Sequence, residues 1–427
     1  MAIKVSVAHS ELKPGDKCPG CEKGKLSQKK PRILVRIKGA APLTATVYEC
    51  QRLRCNLCGE TFTAEPPEGV GKQKYDETAT SMIAILKYGY GIPYDRLERM
   101  QKSLGIPMPA STQYELLEDG AVTLKPIHQH MFRETAAAGL VHTDDTRMKI
   151  LKIKRDPEDE RTGLFTTGIV GVAETHKIAL FMTGPQHAGE NLAEVLKLRA
   201  DELESPILMC DALSWNTSKL KAPGAVRLAH CLAHGRRRLV DVAPNFPEPC
   251  LHVLEELAKV YHHDAITKEQ KMGPTERLKY HKQHSKPVMK ALEEWIDEQL
   301  DGKVEPNGGL GKALKYLKKH WKPLTLFLKD GEAPLDNNLC ERAIKKAVLN
   351  RKNAMFYRTL NGAQVGDLYM SLVHTCELNG VDPFVYLTTL LRQKTRELQD
   401  NAASWMPWNF EERLKTLNNE LVQQPEN

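Results

Sequence analysis

The chain has 427 residues, room for about three domains at roughly 150 residues each. Apolar residues make up 41% and charged residues 27%, a globular balance that excludes disordered, collagen-like and fibrous classes. Lysine and arginine (61) exceed aspartate and glutamate (54), a net +7 too small to establish nucleic-acid binding unless the cations cluster. No stretch approaches the ~18 consecutive apolar residues of a membrane span, and the first thirteen residues lack a signal-peptide core, so a cytoplasmic chain is expected. Of the ten cysteines, four form two Cys-x-x-Cys pairs, which in a reducing compartment point to metal before disulfide.

Residues 14–64 read as short strands and turns. Cys18-Pro19-Gly20-Cys21 and Cys55-Asn56-Leu57-Cys58 flank two β-rich runs, Ile33–Ile37 and Thr44–Tyr48. Two such pairs across β-rich sequence are what a four-cysteine zinc ribbon needs, because each knuckle turns two thiolates inward and four complete a tetrahedron. The alternative is a pair of redox or plain buried thiols, and the lack of a βαβ context argues against the redox role. Cys50, offset by five residues from Cys55, fits a knuckle badly and reads as a spare thiol. A Pro/Gly-rich linker, residues 66–71, follows.

Residues 72–135 change to helical period. Met82, Ile83, Ile85 and Leu86 share a face, a second helix runs from about Pro93 to Leu104, and Ser111-Thr112 can cap a third through about Asp119. That order and size fit a helix-turn-helix, or a plain three-helix packing module. The third helix would be the one laid in the major groove. It carries Gln113, Tyr114, Glu115 and Glu118 but no Arg or Lys, leaving affinity to Lys87, Arg96, Arg99 and Lys102.

Residues 139–235 alternate strands and helices, a mixed α/β domain around one sheet. Strands are expected at Leu140–Asp144, Met148–Lys154, Gly168–Ala173, Ile178–Thr183, Pro206–Asp211 and Ala225–Ala229, with a helix at Glu190–Asp201. Residues 245–330 are helical and charged, and 336–396 return to helix. The 397–427 tail is polar apart from Trp405–Phe410, which is expected to dock on the body.

Asp144 and Asp145 end the first of these strands and Asp211 ends a later one, where carboxylates converge on ligands of α/β sheets. The best third acid for holding two Mg²⁺ ions through hard oxygens is Glu341, on a helix that Asp336 or Asn337 can cap. Arg342, Lys345, Lys346, Arg351 and Lys352 follow it without a further acid, the clustering that net charge could not show. Such a pair of metals suits in-line displacement at phosphorus, with a phosphodiester backbone on the basic helix. A second basic element, His230-Cys231-Leu232-Ala233-His234-Gly235-Arg236-Arg237-Arg238, offers His234 for phosphate or for ordering the site. His230 and Cys231 could be metal ligands, but with no matching pair nearby they read as core or supporting residues, and Asn216 as closing a turn.

These residues, in this order, resemble the transposases of the insertion sequence 66 family. The matching stretches are Thr143–Thr146, the Asp211 strand, Cys231–Arg237, Leu335–Asn338 through Glu341–Ile344, Arg351–Asn353, Leu378–Pro383 and Met406–Asn409. The resemblance runs from about residue 14 to 412. It implies an α/β fold whose RNase H-like catalytic core (139–396) is interrupted by a helical insertion at about 245–330 and preceded by the zinc ribbon and helix-turn-helix. It implies a DDE enzyme with Asp144, Asp211 and Glu341 as triad, Mg²⁺ (two per site) or Mn²⁺ as cofactor, and structural Zn²⁺ on Cys18, Cys21, Cys55 and Cys58. The DNA contacts would come from Arg236, Arg237, Arg342, Lys345, Lys346, Arg351 and Lys352. The reaction implied is 3′-end cleavage of element DNA by water, then attack of the freed 3′-hydroxyl on target DNA. Partners implied are terminal inverted repeats, target DNA in the nucleoid, further copies of the chain and, in some relatives, two small accessory proteins. Position 145 is Asp where the family commonly has Glu, which leaves Asp144 as the ligand and Asp145 secondary. The sequence begins almost at the ribbon, whereas many relatives carry a leucine-rich segment ahead of it. A DNA-binding relic or regulator without catalysis, and an RNase H-like nuclease with no role in transposition, are the competing readings.

Overall fold

The computed structural model describes residues 6–30, 33, 41–71, 73–153, 163–217, 220 and 225–422. By its contacts the chain divides into Met1–Pro42 and Leu43–Asn427. In the first unit Lys17 and Lys25 form an antiparallel bridge around Cys18-Pro19-Gly20-Cys21. The turn is closed by Cys18 N donating to Gly24 O (2.8 Å) and Glu22 N to Cys18 O (2.8 Å). Of the expected strand at Ile33–Ile37, all but Ile33 lies outside the described residues.

The second unit opens with an antiparallel hairpin, β1 (Arg52–Arg54) and β2 (Thr61–Thr63), whose connecting turn holds Cys55 and Cys58. Thr44–Tyr48 forms no strand. The remaining strands are β3 (Leu140–Arg147), β4 (Ile150–Lys152), β5 (Phe165–Val172), β6 (Lys177–Gly184), β7 (Ile207–Cys210), β8 (Arg227–His230) and β9 (Tyr357–Thr359). The helices are α1 (Glu77–Ala84), α2 (Tyr94–Ser103), α3 (Ala110–Ala137), α4 (Ala188–Leu196), α5 (Leu232–Val242), α6 (Pro247–Glu269) and α7 (Pro274–Glu298). They continue with α8 (Gly309–Lys319), α9 (Trp321–Leu324), α10 (Asn338–Ala354), α11 (Leu360–Leu378), α12 (Pro383–Leu391), α13 (Thr395–Asp400) and α14 (Phe410–Val422).

The Val-, Ile- and Thr-rich strands build one five-stranded sheet in the order β6-β5-β3-β7-β8. β3, β5 and β6 are antiparallel neighbours, while β7 and β8 run parallel to β3. The β3–β7 register pairs Leu140 with Ile207 and His142 with Met209. Continued by two residues, it sets Asp144 level with Asp211. Successive side chains of a strand point to opposite faces, so β3 sends His142 and Asp144 one way and Asp145 the other.

The exposed edge of this sheet is closed by side chains of α11. Thr183 N donates to Asp367 (2.7 Å), Phe181 N to Ser371 (2.9 Å), Ala179 N to Thr375 (3.0 Å) and Lys177 N to Asn379 (3.2 Å). Four helical residues rise about 6 Å and two strand residues span nearly the same. The two repeats therefore stay in step, and the outward N–H groups of β6 are satisfied without another strand. Gly380 (φ +70°) then ends the helix, and Asp382 caps α12 by accepting from Phe384 N and Val385 N.

α1, α2 and α3 share one core with the sheet, α11, α12 and the tail, in which Trp405, Met406 and Phe410 are buried. α3 runs on to Ala137 rather than stopping near Asp119. Helices α6, α7 and α8 form a second core against Ile207, Met209 and Ala229, the residues of β7 and β8 that alternate with those in the first. No helix among the described residues is long and apolar enough to cross a membrane.

Candidate catalytic site

Three acids distant in sequence meet at one end of β3 and β7. Asp144 lies near the end of β3, Asp211 directly follows β7, and Glu341 sits in the first turn of α10. Burial, reinforced by the charges of Asp211, Asp145 and Glu341, pushes the Asp144 carboxyl up to about 7. Asp211 is also raised, by burial above all, although His234 and Arg238 pull it back. It accepts from Leu213 N (3.3 Å) and from the amide of buried Asn216, which therefore orients the carboxylate as well as closing the turn.

Asp145 has a different task. It accepts from Thr167 Oγ1 (2.6 Å) and Ala188 N (2.9 Å), and its Oδ2 lies 3.2 Å from His187 Nδ1. Both oxygens are thus engaged, Oδ1 by β5 and Oδ2 at the start of α4, on the face of the sheet opposite Asp144.

Glu341 is placed by Asn337. The sequence suggests Asp336 or Asn337 as the cap of this helix. Asp336 does accept from Asn338 N (3.1 Å), but the Asn337 side chain makes no cap bond. Buried Asn337 instead donates to Thr143 O (2.8 Å), accepts from His142 Nδ1 (3.0 Å), and sends its backbone N–H to Cys231 Sγ (3.3 Å). One residue thereby ties the start of α10 to the strand carrying Asp144 and to the β8–α5 junction. Cys340 Sγ donates to Gly168 O (3.3 Å), where a Cβ on Gly168 would lie 3.0 Å from Ile344, so the helix sits directly on the sheet.

Cys231, His234 and Glu341 each offer a ligand atom within 4.8 Å of the others. The sequence leaves Cys231 a supporting role because no matching pair lies nearby in the chain; folding brings its partners from α5 and α10. His234 Nδ1 is 3.8 Å from Glu341 Oε1 and, like Thr143 Oγ1, is buried without a hydrogen-bond partner. Beside them Asp211, His234, Arg237, Arg238, Asp241 and Tyr316 line a pocket of about 250 Å³, with the Arg238 guanidinium 4.1 Å over the Tyr316 ring. A larger groove of about 1060 Å³ between α3, β6 and α11 contains none of the three acids.

The cations divide into two groups. Arg236, Arg237, Arg342, Lys345 and Lys352 are exposed. Lys346 and Arg351 are not available as the sequence suggests. Lys346 donates to Glu377 (2.9 Å) and Gly89 O (3.3 Å), and Arg351 to Thr146 Oγ1 (2.9 Å) and Arg147 O. Lys87 is likewise buried, donating to Asn350 (2.8 Å), and burial lowers its ammonium to about 8. Gln113, expected to face a groove, is buried and donates to Tyr94 O and Met108 O, while Tyr114 donates to Glu118.

Helices α6 and α7 contribute a clamp that the sequence does not reveal. Arg277 on α7 donates to Gly331 O (2.7 Å) and Ala333 O (2.8 Å), in the loop that leads into α10. Asp264 on α6 holds that guanidinium (2.8 Å), and Arg227 of β8 pairs with Asp330 in the same loop.

Each cysteine knuckle presents N–H groups to sulfur. Gly24 N donates to Cys21 Sγ (3.4 Å) and Leu57 N to Cys55 Sγ (3.4 Å). Backbone N–H bonds, chiefly those from Gly24 and from Cys58, lower the Cys21 thiol and bring Cys55 down to about 7.

Residues 72–365, more than two-thirds of the chain, match the family model described as Transposase IS66 family. Among curated relatives, the uncharacterized protein y4jD of Sinorhizobium fredii is 26% identical over 77% of this chain and 65% of its own length. The uncharacterized protein y4hP of the same organism is 25% identical over 92% of this chain and 72% of its own. The match therefore spans just under two-thirds of y4jD.

Proposed function

Because the chain belongs to the IS66 family of transposases, we propose that it is the DNA-cutting and DNA-joining enzyme of a bacterial insertion sequence, with Asp144, Asp211 and Glu341 as its catalytic acids. The observation that carries this reading is the convergence of three carboxylates from β3, the end of β7 and α10 beside an exposed basic helix face. The strand order, with an antiparallel trio and two parallel strands added beside β3, supports an RNase H-like core. Helices α6–α8 would be the insertion between the second and third acids.

The donor set fits a hard divalent cation. It consists of carboxylate oxygens, of which Asp144 resists ionisation through burial first and through the neighbouring acids second. Asp144, Asp211 and Glu341 would hold Mg²⁺ or Mn²⁺, two ions per site, which when bound make water or a 3′-hydroxyl a better nucleophile and stabilise the leaving oxygen. The chain's own part is positional. Asn216 and Leu213 N aim Asp211, Asn337 and the Arg277 clamp deliver Glu341, and Asp145 fixes α4 instead of reaching the reacting phosphate. Arg342, Lys345 and Lys352 would hold the DNA backbone, joined by Arg236 and Arg237 on α5. Water would attack phosphorus at the element's 3′ end, releasing a 3′-hydroxyl and leaving the 5′-phosphate on the flank. That hydroxyl would then attack a target phosphodiester, joining the element's 3′ end to the target's 5′-phosphate and releasing a target 3′-hydroxyl.

Cys18, Cys21, Cys55 and Cys58 are proposed to bind structural zinc, on the strength of their spacing and of the N–H groups that favour the Cys21 and Cys55 thiolates. Copies of the chain would assemble on paired DNA ends, with accessory proteins where the element encodes them.

The reading is tested by incubating the purified chain with labelled DNA carrying its own gene's flanking ends, with and without Mg²⁺. Metal-dependent nicking that leaves 3′-hydroxyl ends on the element is expected. Binding without cleavage, with accessory proteins present, would assign the chain to regulation instead.

A further inference from the structure

The end of α10 carries a feature that phosphate binding does not use. Met355 follows the helix with φ +68° and ψ −40°, and Phe356 N donates back to Ala354 O (2.8 Å). This is a γ-turn of positive φ, a strained conformation for a residue with a side chain. It turns two apolar side chains outward, Met355 at 69% and Phe356 at 42% exposure. The tip is rigidly backed. Tyr357, the next residue, is buried and starts β9, which pairs with β4, and Arg351 is bonded to the end of β3.

The tip also lies in line with the catalytic acid. Met355 is fourteen residues beyond Glu341, so at 3.6 residues per turn the two positions fall within about 40° of one helix face. Close to that line the helix exposes Lys345 and Lys352, and the strand after the turn exposes Arg358. A duplex following these cations away from Glu341 would meet Met355 and Phe356 after about 21 Å of helix rise, or roughly six base steps at 3.4 Å each. Exposed apolar side chains between cations suit an unstacked base step, where Met and Phe wedge between bases while the basic residues hold the flanking phosphates. We propose that Met355 and Phe356 form a wedge that opens the element DNA about six base steps from the cleaved bond. This rests on the DNA-cleaving reading and goes beyond it by naming where and how the duplex is deformed.

The experiment uses the full chain without divalent metal, so that the DNA stays uncut. End duplexes carry 2-aminopurine at successive steps on either side of the cleavage point, with binding followed separately by anisotropy. A severalfold fluorescence rise confined to a step about six from the cleaved bond is expected. Met355→Ser with Phe356→Ser should remove that rise while DNA still binds, within about tenfold of the original affinity. Met355→Gly suits the backbone conformation, so it should keep or raise the melting temperature yet diminish the signal, which excludes misfolding as the cause. Tight binding with no responding step would overturn the wedge and leave the DNA-cleaving reading standing, whereas no binding by anisotropy would remove both. A double variant that alters self-association in sedimentation but keeps the fluorescence rise would make the tip a protein contact, and the inference wrong.

Discussion

Two aspartates in this molecule, Asp264 buried and Asp144 half-buried, are treated in opposite ways. Asp264, on α6, has Lys268 at 2.6 Å, Arg277 at 2.8 Å and His281 at 3.4 Å. Burial alone would raise its carboxyl, but the bonds from His281, Lys268 and Arg277 outweigh it and hold the group far below the usual carboxylate range. Asp144 is also largely withdrawn from water, yet Asp211, Asp145 and Glu341 surround it, and burial with their charges drives it up to about 7. A buried carboxylate answered by cations within the chain stabilises the fold. One that faces other carboxylates is costly until something from outside joins it, and such sites cluster where function lies.

The contrast is broken most severely at the acids. Asp144→Asn, Asp211→Asn or Glu341→Gln should each lower metal-dependent DNA cleavage by about 10³-fold or more. The melting temperature should stay level or rise, because a repelling charge is removed. A variant that keeps its cleavage rate would leave the triad. Asp264→Asn should do the reverse, costing about 3–5 kcal/mol in urea unfolding by stranding Arg277. Since its folded pKa is depressed, the stability it supplies is present above about pH 4 and is lost as pH falls further. The wild-type chain should therefore lose stability on acidification below about pH 4 through a component that the variant lacks; matching acid limbs would dissolve the contrast.

A smaller effect separates exposed cations from engaged ones. Replacing Arg342 and Lys345 by Ala should flatten the salt dependence of DNA binding by about two in log–log slope. Replacing Lys346 or Arg351 should leave the slope unchanged and lower stability by about 1 kcal/mol, from the lost bonds to Glu377 or to Thr146. An equal change in slope from both sets would mean that the engaged pair swings out to phosphate. The least effect on the body is expected from Cys18→Ser with Cys55→Ser, which should release about one zinc per chain, read by metal analysis, and barely move the main unfolding transition.

The sheet strands were legible from their apolar and β-branched runs; Asp144 and Asp211 stood out because two of those strands end in acids, and Glu341 because it opens a capped helix followed by a run of cations. The course of α3 was not. Gly120 and Pro126 resemble stop signals, yet the helix continues through both. A Cβ at Gly120 would lie 2.6 Å from the Tyr369 hydroxyl, so this glycine serves close packing rather than a turn. The α11 ladder was hidden for another reason. Asp367, Ser371, Thr375 and Asn379 look like polar interruptions of an apolar helix, and only the edge of β6 gives them a purpose. Lys346 and Arg351 share a basic stretch with residues that do face solvent, and sequence alone cannot show that their partners, Glu377 and Thr146, come from distant elements. Asp264 and Arg277 are ordinary charged helix residues until the α6–α7 hairpin brings them together.

Asp144, Asp211 and Glu341 are proposed to form a site for divalent metal. The most direct measurement is Mn²⁺ titration of the full chain followed by electron paramagnetic resonance, bound to end DNA and free, beside Glu341→Gln. The account predicts up to two Mn²⁺ per chain on the DNA complex of the wild type, with loss of one or a marked weakening in the variant. The same number of ions bound with the same affinity in both proteins would contradict it.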